Sequence, residues 1–104
     1  MSRREKIESM LQAEPQDVFL RYALAMEMEK AGEIEPALQL HAVLVAEHPP
    51  HIASYFRSAQ ILAGINEIEK ARAFLRDGIE AARAARDFHA AAEMGEMLSD
   101  LGSQ

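Results

Sequence analysis

Apolar residues recur along this chain at the spacing of one helical face, in six stretches separated by glycine, proline or polar residues. Positions three and four apart lie on the same side of an α-helix, so these stripes predict helices with one buried face. Outside the turns, no stretch alternates apolar and polar residues as a half-buried strand does. The stripes contain Ile7, Met10 and Leu11; Leu20, Leu24, Ala25 and Met28; Ala37, Leu40, Leu44 and Val45; Tyr55, Ala59 and Leu62; Ile68, Ala71, Leu75 and Ile79; and Phe88, Ala91, Met94, Leu98 and Leu101.

Residues that begin and end helices stand between these stripes. Ser2 and Glu5 have the spacing of a capping box, and Asp17 is a good N-cap for the second helix. Gly32 and Asn66 are suited to the left-handed conformation that ends a helix. We therefore expect a positive φ at Gly32.

One short pattern occurs twice at a fixed period. Residues 33–37 read EIEPA, and residues 67–71 read EIEKA, 34 residues later. Pro15 and Pro49 are separated by the same interval. A self-match of this length indicates a repeat of helical hairpins.

The period divides residues 1–104, which we interpret as a single domain. Residues 1–15 are the second half of a degenerate repeat, 17–50 are repeat one, 51–86 are repeat two, and 87–102 form a C-terminal capping helix. The predicted fold class is all-α, with antiparallel helical hairpins stacked as a short right-handed solenoid of about six helices. The last helix should cover repeat two, because an open solenoid end exposes a core-sized apolar face.

The sequence resembles the tetratricopeptide repeat family over essentially its whole length. In this family the first helix of each repeat carries a leucine and a small residue, and the second helix carries a small residue and ends at a proline. The matching residues are Leu24, Ala25, Ala37 and Pro49 in repeat one, and Tyr55, Ala59, Ala71 and Leu75 in repeat two. Arg21, His41 and Arg83 depart from the pattern, and Arg83 predicts a second helix that runs longer than usual. The chain's ending is similar to that of small single-domain bacterial members.

The resemblance implies a protein–protein interaction module in which the first helices line a concave groove. The residues expected on that peptide- or protein-binding face are Phe19, Tyr22, Met26, Glu29, Ala53, Phe56, Arg57 and Gln60. Aromatic rings and a methionine there would suit an apolar ligand. The alternative is that these side chains are core residues under the terminal helices, because a short chain needs most of its aromatic residues for packing.

A carboxylate clamp is not expected on this face. Some family members hold a peptide's C-terminal carboxylate with lysine, asparagine and arginine. Tyr22 and Met26 stand at the lysine and asparagine places here, and only Arg57 matches.

Composition narrows the classes of partner and compartment. The formal net charge of −6 argues against nucleic acid as the main partner. There is no cysteine, which fits a reducing compartment. The N-terminal stretch contains neither a signal peptide nor an apolar span, so we expect no membrane association and a cytoplasmic location.

Side chains that could bind a metal or act in catalysis lack the neighbouring ligands or catalytic partners that such sites require. His48 and His51 flank two prolines, but no further ligand stands at metal-binding spacing, so we read them as exposed loop histidines and expect no metal or cofactor. We place His41 at the edge of the core. No phosphate-binding loop or nucleophile motif occurs, and an enzyme is not expected.

Two functions remain open from the sequence. The leading hypothesis is a small adapter that binds a peptide or protein surface through the groove. The second is a self-associating scaffold such as a homodimer, in which a second copy completes a stack of only two full repeats.

Overall fold

A computed structural model describes residues 1–102, so residues 103 and 104 of the predicted domain lie outside the described range. Within residues 1–102 every regular element is helical, and the predicted all-α architecture is confirmed. Each helix packs against the next one along the chain, and the last also touches the fourth. The helices are α1 (Arg3–Ala13), α2 (Val18–Lys30), α3 (Ile34–Val45), α4 (Ile52–Gly64), α5 (Ile68–Ala84) and α6 (Phe88–Gly102).

The two predicted N-caps are present. The Ser2 hydroxyl accepts from the Glu5 amide at 3.1 Å, and the Ser2 amide donates to the Glu5 carboxylate at 2.9 Å. The Asp17 carboxylate accepts from the Leu20 amide at 2.9 Å. These bonds satisfy amides that the first turn of a helix cannot pair internally.

Three of the connecting turns share one hydrogen-bond pattern. After α2, the Gly32 amide donates to the Glu29 carbonyl at 3.0 Å and the Glu33 amide donates to the Met28 carbonyl at 2.9 Å. The φ of Gly32 is +81°, as expected from its position. This is the Schellman arrangement, which pairs the last carbonyls of a helix and reverses the chain.

The other two turns of this kind follow α4 and α5. Their left-handed residues are Asn66, with a φ of 63°, and Arg86, with a φ of 60°. Asn66 was anticipated at this position, whereas Arg86 was not, because arginine rarely adopts a left-handed conformation. The Asp87 amide closes the third turn by donating to the Ala82 carbonyl at 2.8 Å.

Small residues lie where the helices come closest together. Ala25 and Ala59 are completely buried, as the 34-residue period predicts, and so are Ala37 and Ala71. A methyl side chain lets two helix backbones approach closely, so a larger residue at these positions would separate the helices.

The main apolar core lies between α4, α5 and α6. Its buried members are Ala59, Leu62, Ala71, Leu75, Ala82, Ala91, Met94 and Leu101. α5 has 17 residues against 12 in α3, which confirms the long helix inferred from Arg83. Gly78 stands inside α5 because a Cβ there would lie 2.7 Å from Tyr55 Cβ and 2.6 Å from Met94 Sδ.

The last helix packs on α5 and α4, as predicted, but its buried apolar face begins one turn later than expected. Ala91, Met94 and Leu101 are buried. Phe88 was placed on the buried side and is instead 58% exposed, so that assignment is wrong. Phe88 is the first residue of α6, directly after the turn at Arg86, and the Arg86 guanidinium lies 5.7 Å from the Phe88 ring centre.

Replacing Gly78 by alanine should destabilise the protein although alanine is the better helix former. The added Cβ must displace Tyr55 or Met94, at a cost of roughly 1–3 kcal/mol. Gly95→Ala is the matched control, since no atom lies within 4 Å of a Cβ built there. It should raise the free energy of unfolding by about 0.5–1 kcal/mol. Urea unfolding of both variants measures this, and equal effects would refute the close contact at Gly78.

Candidate functional site

Helices α2 and α4 lie within side-chain reach of each other and are joined by an ion pair. The Arg57 Nε donates to Glu29 Oε1 at 2.8 Å, and a terminal nitrogen of the same guanidinium donates to Glu29 Oε2 at 2.7 Å. The other terminal nitrogen donates to the Gln60 side-chain oxygen at 3.0 Å. This two-point contact fixes orientation as well as distance, because both groups are planar. Glu29, Arg57 and Gln60 therefore form one hydrogen-bonded cluster.

Tyr22 lies two helical turns before Glu29 and is contacted by two imidazole rings. Its ring centre lies 5.5 Å from that of His41 and 4.8 Å from that of His51, both edge-on. Burial raises the pKa of the Tyr22 hydroxyl, and the positive charge of Arg57 partly opposes that rise. The half-buried ring is thus fixed between α3 and the start of α4.

The remaining side chains of the predicted face have different degrees of exposure. Met26 lies on α2 between Tyr22 and Glu29 and is partly exposed, and Ala53 is exposed on α4. Phe56 is half-buried and packs against the apolar core of the second half of the chain. We call the surface of Tyr22, Met26, Glu29, Ala53, Phe56, Arg57 and Gln60 the α2–α4 face.

Phe19 lies apart from this cluster. It is 79% exposed and lines a cleft where α1 ends and α2 begins, together with Met10. Its position at the start of α2 points it toward α1. The sequence pattern could not distinguish this corner from the groove, because Phe19 and Tyr22 are three residues apart on the same helix.

His41 in α3 and His51, which directly precedes α4, are more buried than the sequence suggested. His41 is completely buried, not at the core edge, and its Nδ1 lies 3.0 Å from the Ser54 hydroxyl. His51 is half-buried against Tyr22 and is not an exposed loop residue. The loop after α3 folds back so that the His51 amide donates to the Leu44 carbonyl, which brings His51 beside Tyr22.

Burial lowers the pKa of His41 to about 4, and this effect outweighs the nearby Glu29 carboxylate, which acts in the opposite direction. Arg57 and His51 lower the pKa of His41 further. Burial also lowers the pKa of His51. The His41 ring is therefore neutral near pH 7 and supports Tyr22 as an uncharged packing partner.

A second ion pair, which sequence reasoning missed, braces the same region. The two terminal nitrogens of Arg21 donate to the Glu47 carboxylate at 2.5 and 2.9 Å, and one also donates to the Gln16 carbonyl. The Arg21 side chain is only 11% exposed. Hydrogen bonding to Arg21 holds the pKa of the Glu47 carboxyl below its usual range. The arginine that departs from the family pattern thus ties α2 to the end of α3.

Across residues 1–102, no three histidine, cysteine or acidic side chains stand close enough to hold a metal ion. Within the same range no helix has both the length and the apolar character needed to cross a membrane. What the α2–α4 face offers a ligand is aromatic and thioether surface beside an internally neutralised ion pair.

Comparison with solved structures identifies this arrangement of helices. A solution NMR structure of a tetratricopeptide repeat domain protein from Salinibacter ruber is 28% identical, with a TM-score of 0.78 over 84% of this chain and 88% of that one. A crystal structure of a tetratricopeptide repeat domain protein from Salinibacter ruber is 26% identical, with a TM-score of 0.75 over 85% of this chain and 98% of that one. The chain has the tetratricopeptide repeat fold. The resemblance read from the sequence is confirmed.

A further solved structure extends the likeness of the fold to nearly the whole chain. The solution structure of a Bordetella parapertussis protein is 20% identical and has a TM-score of 0.83 over 99% of this chain and 90% of that one. No protein-family model matches the sequence. No curated protein matches it either. Tetratricopeptide repeat folds generally serve as protein-interaction modules and non-catalytic scaffolds, so the fold favours that broad class of function here.

His41 makes the stability of this tetratricopeptide repeat depend on pH. Its pKa is lower in the folded state than the 6.5 of an exposed histidine, so the unfolded chain binds the extra proton. The stabilisation is complete above pH 6.5 and is lost as the pH falls toward 4. Between pH 7 and 4.5 the His41 contribution to the free energy of unfolding should fall by roughly 2–3 kcal/mol.

Urea unfolding at several pH values tests this contribution. His41→Leu, which introduces the residue found 34 positions later at Leu75, should lose less stability on acidification than the unchanged protein. His48→Asn is the control, because His48 is exposed, and it should follow the unchanged protein. An equal acid loss in His41→Leu would show that His41 is not the responsible group.

Proposed function

We propose that this protein is a small adapter that binds a peptide or a protein surface through the α2–α4 face. The fold supports an interaction role in general. In stacked helical hairpins, the first helix of each hairpin lies toward the concave side, where extended binding surfaces form. α2 and α4 are the first helices of the two full repeats in our interpretation of residues 17–50 and 51–86.

The observation that carries the proposal is the bridged pair of helices beside partly exposed apolar side chains. Arg57 and Glu29 hold α4 and α2 in one relative position before any ligand arrives. Tyr22 and Met26 then offer contact area whose side chains are already partly ordered. A ligand meeting such a surface loses less free energy to ordering it, which favours binding.

The same geometry defines the kind of ligand that fits. All three nitrogen groups of Arg57 are hydrogen-bonded to Glu29 or Gln60, so a ligand carboxylate would have to break an existing pair. We therefore propose contacts dominated by apolar side chains, without a clamp on a C-terminal carboxylate. Aromatic and methionine side chains supply this kind of contact.

Self-association is the second candidate, and the exposed apolar side chains favour it. Met10, Phe19, Val43 and Phe88 are all more than half exposed. Under the proposed division, the N-terminal residues 1–15 form only half a repeat, so a second copy could extend the stack. Light scattering over a range of concentrations separates the two candidates, since a monomer at micromolar concentration favours the adapter.

We propose no catalytic role and place the protein in the cytoplasm. The histidine, serine and tyrosine side chains near the α2–α4 face are packed against one another as structural partners. The absence of cysteine supports a reducing compartment.

The adapter proposal is tested by capturing partners from the native host with matched variants. Met26→Arg combined with Gln60→Arg places two guanidinium groups on the α2–α4 face. Val43→Arg combined with Gln39→Arg makes the same change in charge on the exposed side of α3. A partner that uses the α2–α4 face should lose at least about tenfold in affinity with the first double variant, equivalent to 1.4 kcal/mol, and change little with the second.

The captured protein is then purified and its affinity is measured by calorimetry against all three forms of the bait. Circular dichroism establishes that both double variants keep their helices. Equal losses in the two variants, or a loss confined to the α3 variant, would place the interaction elsewhere and contradict the proposal.

A further inference from the structure

A separate cleft lies at the corner where α1 ends and α2 begins. Its volume is about 410 Å³, within the range of roughly 300–1,000 Å³ that is usual for ligand pockets. The residues that line it are Met10, Ala13, Glu14, Asp17, Phe19 and Leu20. We call it the corner cleft. None of its residues belongs to the α2–α4 face.

Two large apolar side chains in this cleft are left open to water. Phe19 is 79% exposed and Met10 is 56% exposed. A single exposed apolar residue is ordinary on a protein surface, but two that line one concavity with Leu20 and Ala13 form a continuous apolar wall. The wall is suited to receiving an apolar side chain.

The edge of the corner cleft is negative. Glu14 and Asp17 stand there, and α1 ends there without a basic residue in its last turn, so the partial negative charge of that helix end is not offset. The α2 amino end opposes this charge only in part, since Asp17 already caps it. Arg21 is bonded to the Glu47 carboxylate, and its charge also acts on Asp17, so the negative charge at this edge comes mainly from Glu14 and the end of α1. An incoming positive charge would therefore be attracted.

We propose that the corner cleft binds an apolar side chain from a partner segment that carries lysine or arginine beside it. The apolar wall takes the side chain, and Glu14 and Asp17 attract the adjacent positive charges. This site goes beyond the adapter function proposed above, because it uses different residues and recognises a basic segment. Charge attraction of this kind acts mainly on specificity and association rate, and it weakens with added salt.

A second copy of this chain is the competing occupant, and its own chemistry makes it the poorer one. Phe88 is exposed beside Arg86, which resembles the required segment. However, Asp87 lies between them in the sequence and would bring a carboxylate toward Glu14 and Asp17. A segment with basic residues on both sides of its apolar residue avoids that repulsion.

The test is an NMR titration of the full-length, ¹⁵N-labelled protein with four blocked synthetic peptides of equal length. Each has one central phenylalanine or serine, flanked on both sides by lysines or by glutamates. Only the peptide with phenylalanine and lysine should shift the amide signals of Met10, Ala13 and Leu20 in a saturable way. Its apparent Kd should rise at least about fivefold between roughly 50 and 500 mM salt.

Matched variants test the apolar contact and the charge attraction separately. Phe19→Ser should raise the apparent Kd at least about fivefold, while Phe88→Ser, which removes the other exposed phenylalanine, should leave it within about twofold. Glu14→Lys should weaken binding by a similar factor. Glu96→Lys changes an exposed acid on α6 in the same way and should leave the apparent Kd unchanged. Asp17 is left unchanged because it caps α2.

Three results would overturn the proposal. One is an equal response to the glutamate-flanked peptide, and another is a set of shifts spread over the protein rather than confined to the corner cleft. The third is concentration-dependent self-association that Phe19→Ser and Phe88→Ser both abolish, since the occupant would then be a second copy. Because the α2–α4 face is untouched, failure here is distinguishable from failure of the adapter proposal.

Discussion

Close approach of helices at residues with little or no side chain is the constraint on which the rest of this structure depends. Ala25 and Ala59 are fully buried at equivalent places in the two repeats, and Gly78 has no room even for a methyl group. The side chains that surround these points can meet only because the backbones are close. The Arg57–Glu29 bridge and the packing of Tyr55 on α5 and α6 are both consequences of that proximity.

The two halves of the chain reach this proximity with different chemistry. At one position of the repeat the first half has His41 and the second half has Leu75, and both are completely buried. The second half has an apolar core, whereas in the first half His41 is hydrogen-bonded to Ser54, and Arg21 and Glu29 form arginine–glutamate bridges. Buried polar groups contribute net stability only when they are paired, so the first half depends on the geometry of those pairs and on their protonation. The α2–α4 face lies where the two halves meet, with Tyr22 and Glu29 from the first half and Phe56 and Arg57 from the second.

Much of the fold could be predicted from local patterns, because helix periodicity and cap residues act over a few positions. Gly32, Asn66 and the buried alanines were found in this way. Arg86 was missed because its side chain gives no sign of a left-handed conformation. One sequence feature could have indicated this turn: an acidic residue directly follows each of the three left-handed residues, at Glu33, Glu67 and Asp87. Phe88 was misplaced because periodicity extends a helical face to the first residue of a helix, where no neighbouring helix covers it.

The candidate site was less predictable, because it depends on which side chains meet across helices. Arg21 and His41 were read as departures from a repeat pattern, yet each has a partner, Glu47 and Ser54, that lies distant in sequence. Phe19 and Tyr22 share a helical face but contact different neighbours, since α1 reaches only the start of α2. Periodicity identifies the face on which a residue lies, and the surrounding helices determine whether that residue is braced, as Tyr22 is, or left open to water, as Phe19 is. That distinction separates the two proposed sites: the α2–α4 face is preorganised by bridges between helices, whereas the corner cleft relies on exposed apolar area and on the negative charge at its edge.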